Sequence, residues 1–521
     1  GIILILFASS RMGPGISPDS VAYIAAARNI LNGHGVSILY NTDGTIPLSL
    51  WQPVNPETIN NVFMWPPAYP FLLSAIGIFG LNIITGARWL NAILFGINIF
   101  TITLLIKKVT NSIILPLLSA ILLVFSVDLV LIHYMIWSEP LFICFSVSGL
   151  FLLVKYLNNN KIGYLCYSSI LLGLAFFTKY SGVSLIITGL IVILFLRQNK
   201  FYKKITHSII FISISCVPIA FWFIRLSFLS NGSNIRNLNF NLINKDEIII
   251  MLQNIAKWLL PGRIPLNHSL IVFGIIVILI VTGYFVISKK LKTTIVATEQ
   301  SIINSTSIIF FIFIFLYASF LFINKVFSDA TFDFYDIRSL TPIMVSTFII
   351  IILFFTSVIN LLNTIKPNNK YAISFISLIM IIYISFYSAN FVYGHHINTF
   401  ANLYAGVGYS RYDWQTNKTI KEIEKFPEDT VIYTNEPVAI YILIGRAAYM
   451  VPSKKYIYSN EPNYKYKEDL NIMKKDLKSK KGILVLFKVG LGFLPKDNEL
   501  KSQMQLHLLK PCSDGAIYEV Y

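Results

Sequence analysis

The chain has few charges and fewer cysteines. Of its 521 residues only 13% are Asp, Glu, Lys or Arg, and there are four cysteines. Cys144, Cys166 and Cys216 lie in apolar runs and Cys512 stands alone outside them, which leaves neither a disulfide framework nor a metal-ligand spacing. A nucleotide-binding glycine loop is also absent, so nothing points to a nucleotide-activated substrate. The excess of basic residues, +17 overall, would suggest nucleic acid in a soluble chain. Here the Lys and Arg residues gather in short loops between apolar runs, where they set orientation in a bilayer, and a nucleic-acid partner is excluded on that ground.

What the chain has is apolar length. Hydrophobic residues make up 55% of it, in repeated runs of roughly 18 or more residues that match a bilayer core. The expected fold class is a polytopic α-helical membrane protein. Its spans fall near 1 to 10, 85 to 106, 113 to 132, 140 to 157, 163 to 178, 181 to 196, 207 to 225, 269 to 288, 303 to 324, 339 to 361 and 372 to 390, about eleven in all. The run at 1 to 10 is too short to cross a bilayer, so the chain reads as starting partway through its first span. Basic loops at Lys107 and Lys108, up to Lys161, from Arg197 to Lys204, from Lys289 to Lys292 and from Lys366 to Lys370 are expected on the cytoplasmic side.

The opposite, extracytoplasmic side then receives a first loop of about 11–84, a short loop with Glu139, a loop of about 226–268 and a loop ending in "FDFYDIRSLTP". The expected division is a transmembrane domain over 1–390 and a small C-terminal α/β extracytoplasmic domain over 391–521. Composition turns polar at the boundary, and the tail holds strand-like runs "DTVIYT", "KGILVLFK" and "AIYEVY". His395 and His396 open that tail, and two adjacent imidazoles on a polar joint read as a solvated linker rather than a metal site.

Asp19 stands at the start of "SPDSVAYIAAARNILNGHG". Ser17 and Pro18 predict a helix start, and Val21, Ile24, Ala25, Ile30 and Leu31 predict an amphipathic helix lying on the membrane surface. On position alone Asp19 is a helix-start carboxylate favoured by the dipole, and so is Glu139 in "IHYMIWSEPLF". Lys179, in "FFTKYSG", reads as a helix-end lysine reaching the surface, and Arg338 as the partner of Asp336 or Asp333.

The order of these landmarks adds a second reading. "DSVAY", "WPPAYPFLL" and "RWLNAILFG", then "WSEPLF", "GLAFFTKYSG" and "YDIRSLTPIM", resemble the GT-C membrane glycosyltransferases. The likeness is greatest to the branch of glycosyltransferase family 39 and the aminoarabinose and lipopolysaccharide core sugar transferases. It implies a sugar donor carried on a polyprenyl phosphate, a lipid, glycan or protein acceptor, and a plasma (inner) membrane location. It implies that Asp19 is the base that takes the acceptor proton, with Glu139 as a second catalytic carboxylate orienting cation, phosphate or acceptor. Lys179 and Arg338, with Tyr335, would bind the donor phosphate, and Tyr23, Trp65 and His133 would line the substrate cleft. Sharing of a divalent metal between Asp19 and Glu139 is left open, because hard cations want a denser oxygen cluster.

Two departures bear on the acceptor. Ser20 follows Asp19 where eukaryotic protein O-mannosyltransferases carry adjacent Asp and Glu, which disfavours protein mannosylation. Trp65 precedes Pro66 and Pro67 where aminoarabinose transferases often carry lysine. The rival classes are a transporter, which wants ionisable groups near mid-membrane, and a different lipid-linked glycan polymerase or ligase. Asp128 is the main charge that sits inside a span.

Overall fold

A computed structural model of the chain describes residues 1–37, 65–110, 113–197, 200–229, 240–258, 266–291, 297–327, 334–365, 402–455, 462–488, 494–495 and 497–520. The expected span at 372 to 390, the domain boundary at 391 and His395 and His396 lie outside the described residues.

Among the described residues, five helices are long and apolar enough to cross a membrane: Ile83–Thr110, Glu139–Asn159, Phe201–Phe228, Glu299–Phe327 and Ile337–Leu362. The run read as a single span at 113 to 132 is a pair of helices, Ile114–Val124 and Val127–Tyr134, bent by 59°. The two runs after Glu139–Asn159 form shorter helices, Ile162–Thr178 and Tyr180–Leu196, and a further helix occupies Leu266–Leu291. Large apolar side chains such as Trp89, Phe100, Phe221 and Phe315 stay exposed on the outside of this bundle. A protein surrounded by water would bury such residues, so this is the surface expected of a bilayer-facing bundle.

The helix Pro18–Leu31 begins as its sequence predicts. Ser17 accepts the Ser20 amide at 3.3 Å, Ser20 Oγ accepts the Ser17 amide at 3.0 Å, and Pro18 occupies the first turn. Its placement differs from the expected surface helix. Every residue from Ser20 to Ala27 is buried, on all sides of the helix. The reason is the run "AAA" beside Val21, Ile24 and the small Ser20: short side chains let neighbouring helices approach every face. Ala68–Ile78 and Ile83–Thr110 pack on it from the bundle, and the tail helix Pro437–Ile444 covers it from the other direction.

The tail is built on a five-stranded sheet. Its strands are β1 (Ile432–Thr434), β2 (Tyr449–Met450), β3 (Ile483–Phe487), β4 (Leu506–Pro511) and β5 (Gly515–Val520), in the order β2-β1-β3-β5-β4. The first three neighbours run parallel and β5 is antiparallel to both β3 and β4. All five residues of β3 are buried, as a central strand covered on both faces requires. Leu470, Met473 and Leu477 fill one face; Ile420, Ile423 and Ile440 fill the other.

Candidate functional site

Four charged residues far apart in the chain meet where the bundle faces the tail. Asp19 lies in the first turn of Pro18–Leu31, Glu139 begins Glu139–Asn159, Lys179 ends Ile162–Thr178, and Arg338 lies in the first turn of Ile337–Ile365. Lys179 Nζ donates to Glu139 Oε1 at 2.7 Å, and Arg338 Nε donates to the same oxygen at 2.5 Å. Arg338 Nη1 donates to Asp19 Oδ2. Glu139 is fully enclosed, whereas the side chains of Asp19, Lys179 and Arg338 keep 26%, 21% and 19% of their surface. The cluster is therefore neutral in sum, two charges of each sign, and reachable on the side where Asp19 and the cations lie.

Helix direction explains three of these positions and makes the fourth informative. Carboxylates are stabilised at helix starts and a lysine at a helix end. Arg338 at a helix start is opposed by the same dipole, so it depends on anions to remain there. Its guanidinium also lies over the Trp137 ring at 4.7 Å, a contact that holds its plane. Trp137 in turn donates Nε1 to Ser17 Oγ at 2.7 Å, tying the Arg338 platform to the cap of the Asp19 helix. The sequence "WSEP" signalled the glutamate; the role of its tryptophan needed the fold.

The other predicted residues divide. Tyr23 joins the cluster's wall: its hydroxyl is 3.1 Å from Ser138 Oγ, and its ring meets Trp65 and Tyr69 edge-on at 6.2 and 5.3 Å. Burial pushes the Tyr23 phenol well above its ordinary range, so it stays a neutral hydrogen-bonding group. Tyr335 is fixed by its backbone, which accepts from Asn254 at 2.9 Å, and its ring meets Phe334 at 5.6 Å. His133 is not a cleft residue. It is completely buried inside the bundle, where Nδ1 faces the Leu129 carbonyl at 2.7 Å and Nε2 faces Asn98 Nδ2 at 3.0 Å. It lies in the helix Val127–Tyr134, whose register sets its ring against Asn98 and Phe95 inside the bundle. Arg28, nine residues after Asp19 on the same helix, lies over the Tyr441 ring of the tail at 5.6 Å. Asp128 accepts from Trp258 Nε1 at 3.0 Å.

Among the described residues no three of His, Cys, Asp and Glu come together as metal ligands. Asp19 and Glu139 each present an oxygen to a cationic side chain, a poor donor set for a divalent ion.

Residues 65–228 match the family model of dolichyl-phosphate-mannose-protein mannosyltransferases, a segment that contains Glu139 and Lys179. No curated protein matches the chain by sequence. Among solved structures, ArnT from Cupriavidus metallidurans, bound to undecaprenyl phosphate and also in the apo state, is similar with a TM-score of 0.55 and 11% identity. That likeness covers 99% of this chain and 96% of ArnT. The archaeal oligosaccharyltransferase AglB from Archaeoglobus fulgidus, in complex with an inhibitory peptide and a dolichol-phosphate, is similar with a TM-score of 0.51 and 11% identity, over 93% of this chain and 68% of AglB. The expected resemblance therefore holds at the level of architecture: this chain has the GT-C fold of the membrane glycosyltransferases.

Proposed function

We propose that the chain moves a sugar from a polyprenyl-phosphate donor to a hydroxyl of a lipid, glycan or protein acceptor, on the extracytoplasmic face of the plasma membrane. The observation that carries this reading is the meeting of Asp19, Glu139, Lys179 and Arg338. Support also comes from two proteins of the same fold solved with polyprenyl phosphates.

In this mechanism the donor phosphate takes over Arg338, and Lys179 supplies the second cation. Arg338 then leaves Asp19, whose carboxylate is freed to accept the acceptor's proton. The acceptor oxygen forms its bond to the anomeric carbon from the face opposite the phosphate, while the bond from that carbon to the phosphate oxygen breaks. The electron pair leaves with the phosphate, which goes from one negative charge to two as Asp19 goes from one to none. The total charge of the site is unchanged through the step, and charge only moves toward the two cations. That is the electrostatic arrangement that lowers such a barrier. A departing phosphate needs no protonation, so one base is enough and the anomeric configuration inverts. Glu139, enclosed and bound to both cations, orients them. In this reading residues 1–390 form the catalytic membrane domain and 391–521 an outer domain above it.

The test is sugar transfer by the purified chain in nanodiscs with a panel of radiolabelled polyprenyl-phosphate sugars, native against Asp19→Asn. Transfer by the native chain, reduced at least 100-fold in Asp19→Asn with donor binding retained, is the expected result. Transfer that survives Asp19→Asn would remove Asp19 as the base, and no transfer or binding with any donor would overturn the whole reading.

A further inference from the structure

The backbone immediately before the two carboxylates is stitched to the tail. Gly15 donates its amide to the Tyr134 carbonyl at 3.1 Å, and its own carbonyl accepts from Ile136 at 3.0 Å, forming a parallel bridge with Met135. One residue on, Ile16 turns its hydrogen bonds to the other side. Its amide donates to the Val407 carbonyl at 3.1 Å and its carbonyl accepts from Tyr409 at 2.8 Å, a second parallel bridge with Gly408. Three segments of chain, 14–17, 134–137 and 405–410, thus form one short ribbon. Asp19 lies three residues past Ile16, and Glu139 three residues past Ile136. The ribbon is the common origin from which both carboxylates project.

The tail's strand of that ribbon is shaped for close approach. Gly408 has φ +64°, and a Cβ placed there would collide with the Ile16 carbonyl oxygen. Tyr409 extends its hydroxyl to Glu436 Oε2 at 3.0 Å, and Glu436 directly precedes the helix Pro437–Ile444 that packs on the Asp19 helix. Tyr134 adds a further tie, donating its hydroxyl to the Leu403 carbonyl at 2.7 Å. The tail therefore grips the Asp19 helix at its start, through the ribbon, and along its length, through Val438, Tyr441 and Ile442.

We propose that Gly408 and Tyr409 of the tail are positioning residues for the transfer reaction: through Ile16 they set where Asp19 stands relative to Glu139 and Arg338. This rests on the functional reading above. Gly408 bridges to Ile16, and Tyr409 bonds Ile16 through its amide and Glu436 through its hydroxyl, so their hold on Asp19 runs through the backbone. A base displaced by about 1 Å loses on the order of 100-fold in rate, while donor affinity depends on the two cations and is less sensitive.

The experiment compares Gly408→Ala with Gly445→Ala. Gly445 also lies in the tail with φ +73°, but a Cβ there meets nothing within 4 Å, so it imposes a like backbone strain without touching the ribbon. Two readouts are taken: kcat and donor KM per folded protein, and hydrogen–deuterium exchange of residues 17–22. Expected for Gly408→Ala is a kcat lowered 10- to 100-fold, a donor KM within threefold of native and faster exchange in 17–22, with Gly445→Ala native-like in all three. Tyr409→Phe, which keeps the ribbon's backbone bonds and loses the Glu436 bond, is expected to lower kcat by a smaller factor. A native kcat in Gly408→Ala, or the same loss in both glycine variants, would overturn the proposal. Exchange decides the matter even if the native chain transfers no sugar. Faster exchange confined to Gly408→Ala supports the coupling and leaves only the functional reading to fall, whereas equal exchange in both variants overturns the coupling.

Discussion

Replacing Glu139 by Gln keeps the volume of an enclosed side chain and removes the charge to which both cations are bound. Breaking a buried ion pair by deleting one partner typically costs about 3–5 kcal/mol. Lys179 and Arg338 each keep about a fifth of their side-chain surface, so water takes up part of that loss and a fall in stability of about 2 kcal/mol is expected. The effect on turnover has the opposite cause. With Glu139 neutral, the cluster carries one net positive charge, and Asp19 is the remaining carboxylate partner of Arg338. The donor phosphate is still attracted, so donor KM should be unchanged or lower. Releasing Asp19, however, now means separating Arg338 from that last carboxylate, and a charged hydrogen bond of about 1.5–3 kcal/mol corresponds to a roughly 10- to 100-fold lower kcat. The assay is steady-state transfer in nanodiscs at several salt concentrations, normalised to folded protein by thermal unfolding. A raised donor KM with native kcat would refute the reasoning, because it would make Glu139 a direct donor ligand rather than the residue that sets the cations.

Two further outcomes follow from the structure. Glu436 is nearly enclosed, and burial, offset in part by the Tyr409 hydroxyl, raises its carboxyl to about 7. Its contribution to stability is full below the unfolded value near about 4.3 and is lost as pH rises through about 7, a change on the order of 3 kcal/mol. The unfolding midpoint of the native chain should thus fall from pH 5 to pH 8 by more than that of Glu436→Gln, and equal falls would mean the carboxyl is not buried in solution. His133→Leu removes a buried hydrogen bond to the Leu129 carbonyl and should cost about 1–3 kcal/mol of stability while leaving kcat per folded protein unchanged. A lowered kcat at native stability would return His133 to the cleft.

Much of the architecture was legible because bilayers leave chains little choice. Long apolar runs must become helices, and charges beside them must pair or face water, so Asp19, Glu139, Lys179 and Arg338 stood out against a background low in charge. Their shared meeting point was not readable from any one of them. The Asp19 helix was misjudged for a specific reason: Val21, Ile24, Ala25, Ile30 and Leu31 give a one-sided apolar pattern, but Ala22, Ala26 and Ala27 are small enough to be buried as well, and a period count treats them as weak. The span read at 113 to 132 concealed a bend, because apolar content does not record direction. The ribbon left the faintest trace. Backbone hydrogen bonds have no side-chain signature, and the local hints were glycines: Gly15, where a Cβ would meet Met135 and Tyr134, and Gly406 and Gly408, both with positive φ.

The spacing of the four charges along the chain also has a meaning for biosynthesis. Arg338 lies 319 residues after Asp19 and 199 after Glu139. A ribosome delivers Asp19, Glu139 and Lys179 to the membrane long before the arginine that joins them, and in that interval Glu139 has its lysine while Asp19 lacks its own partner. The helix that begins at Ile337 is thus the piece that locks the nascent assembly, and the centre cannot close until that helix has been made.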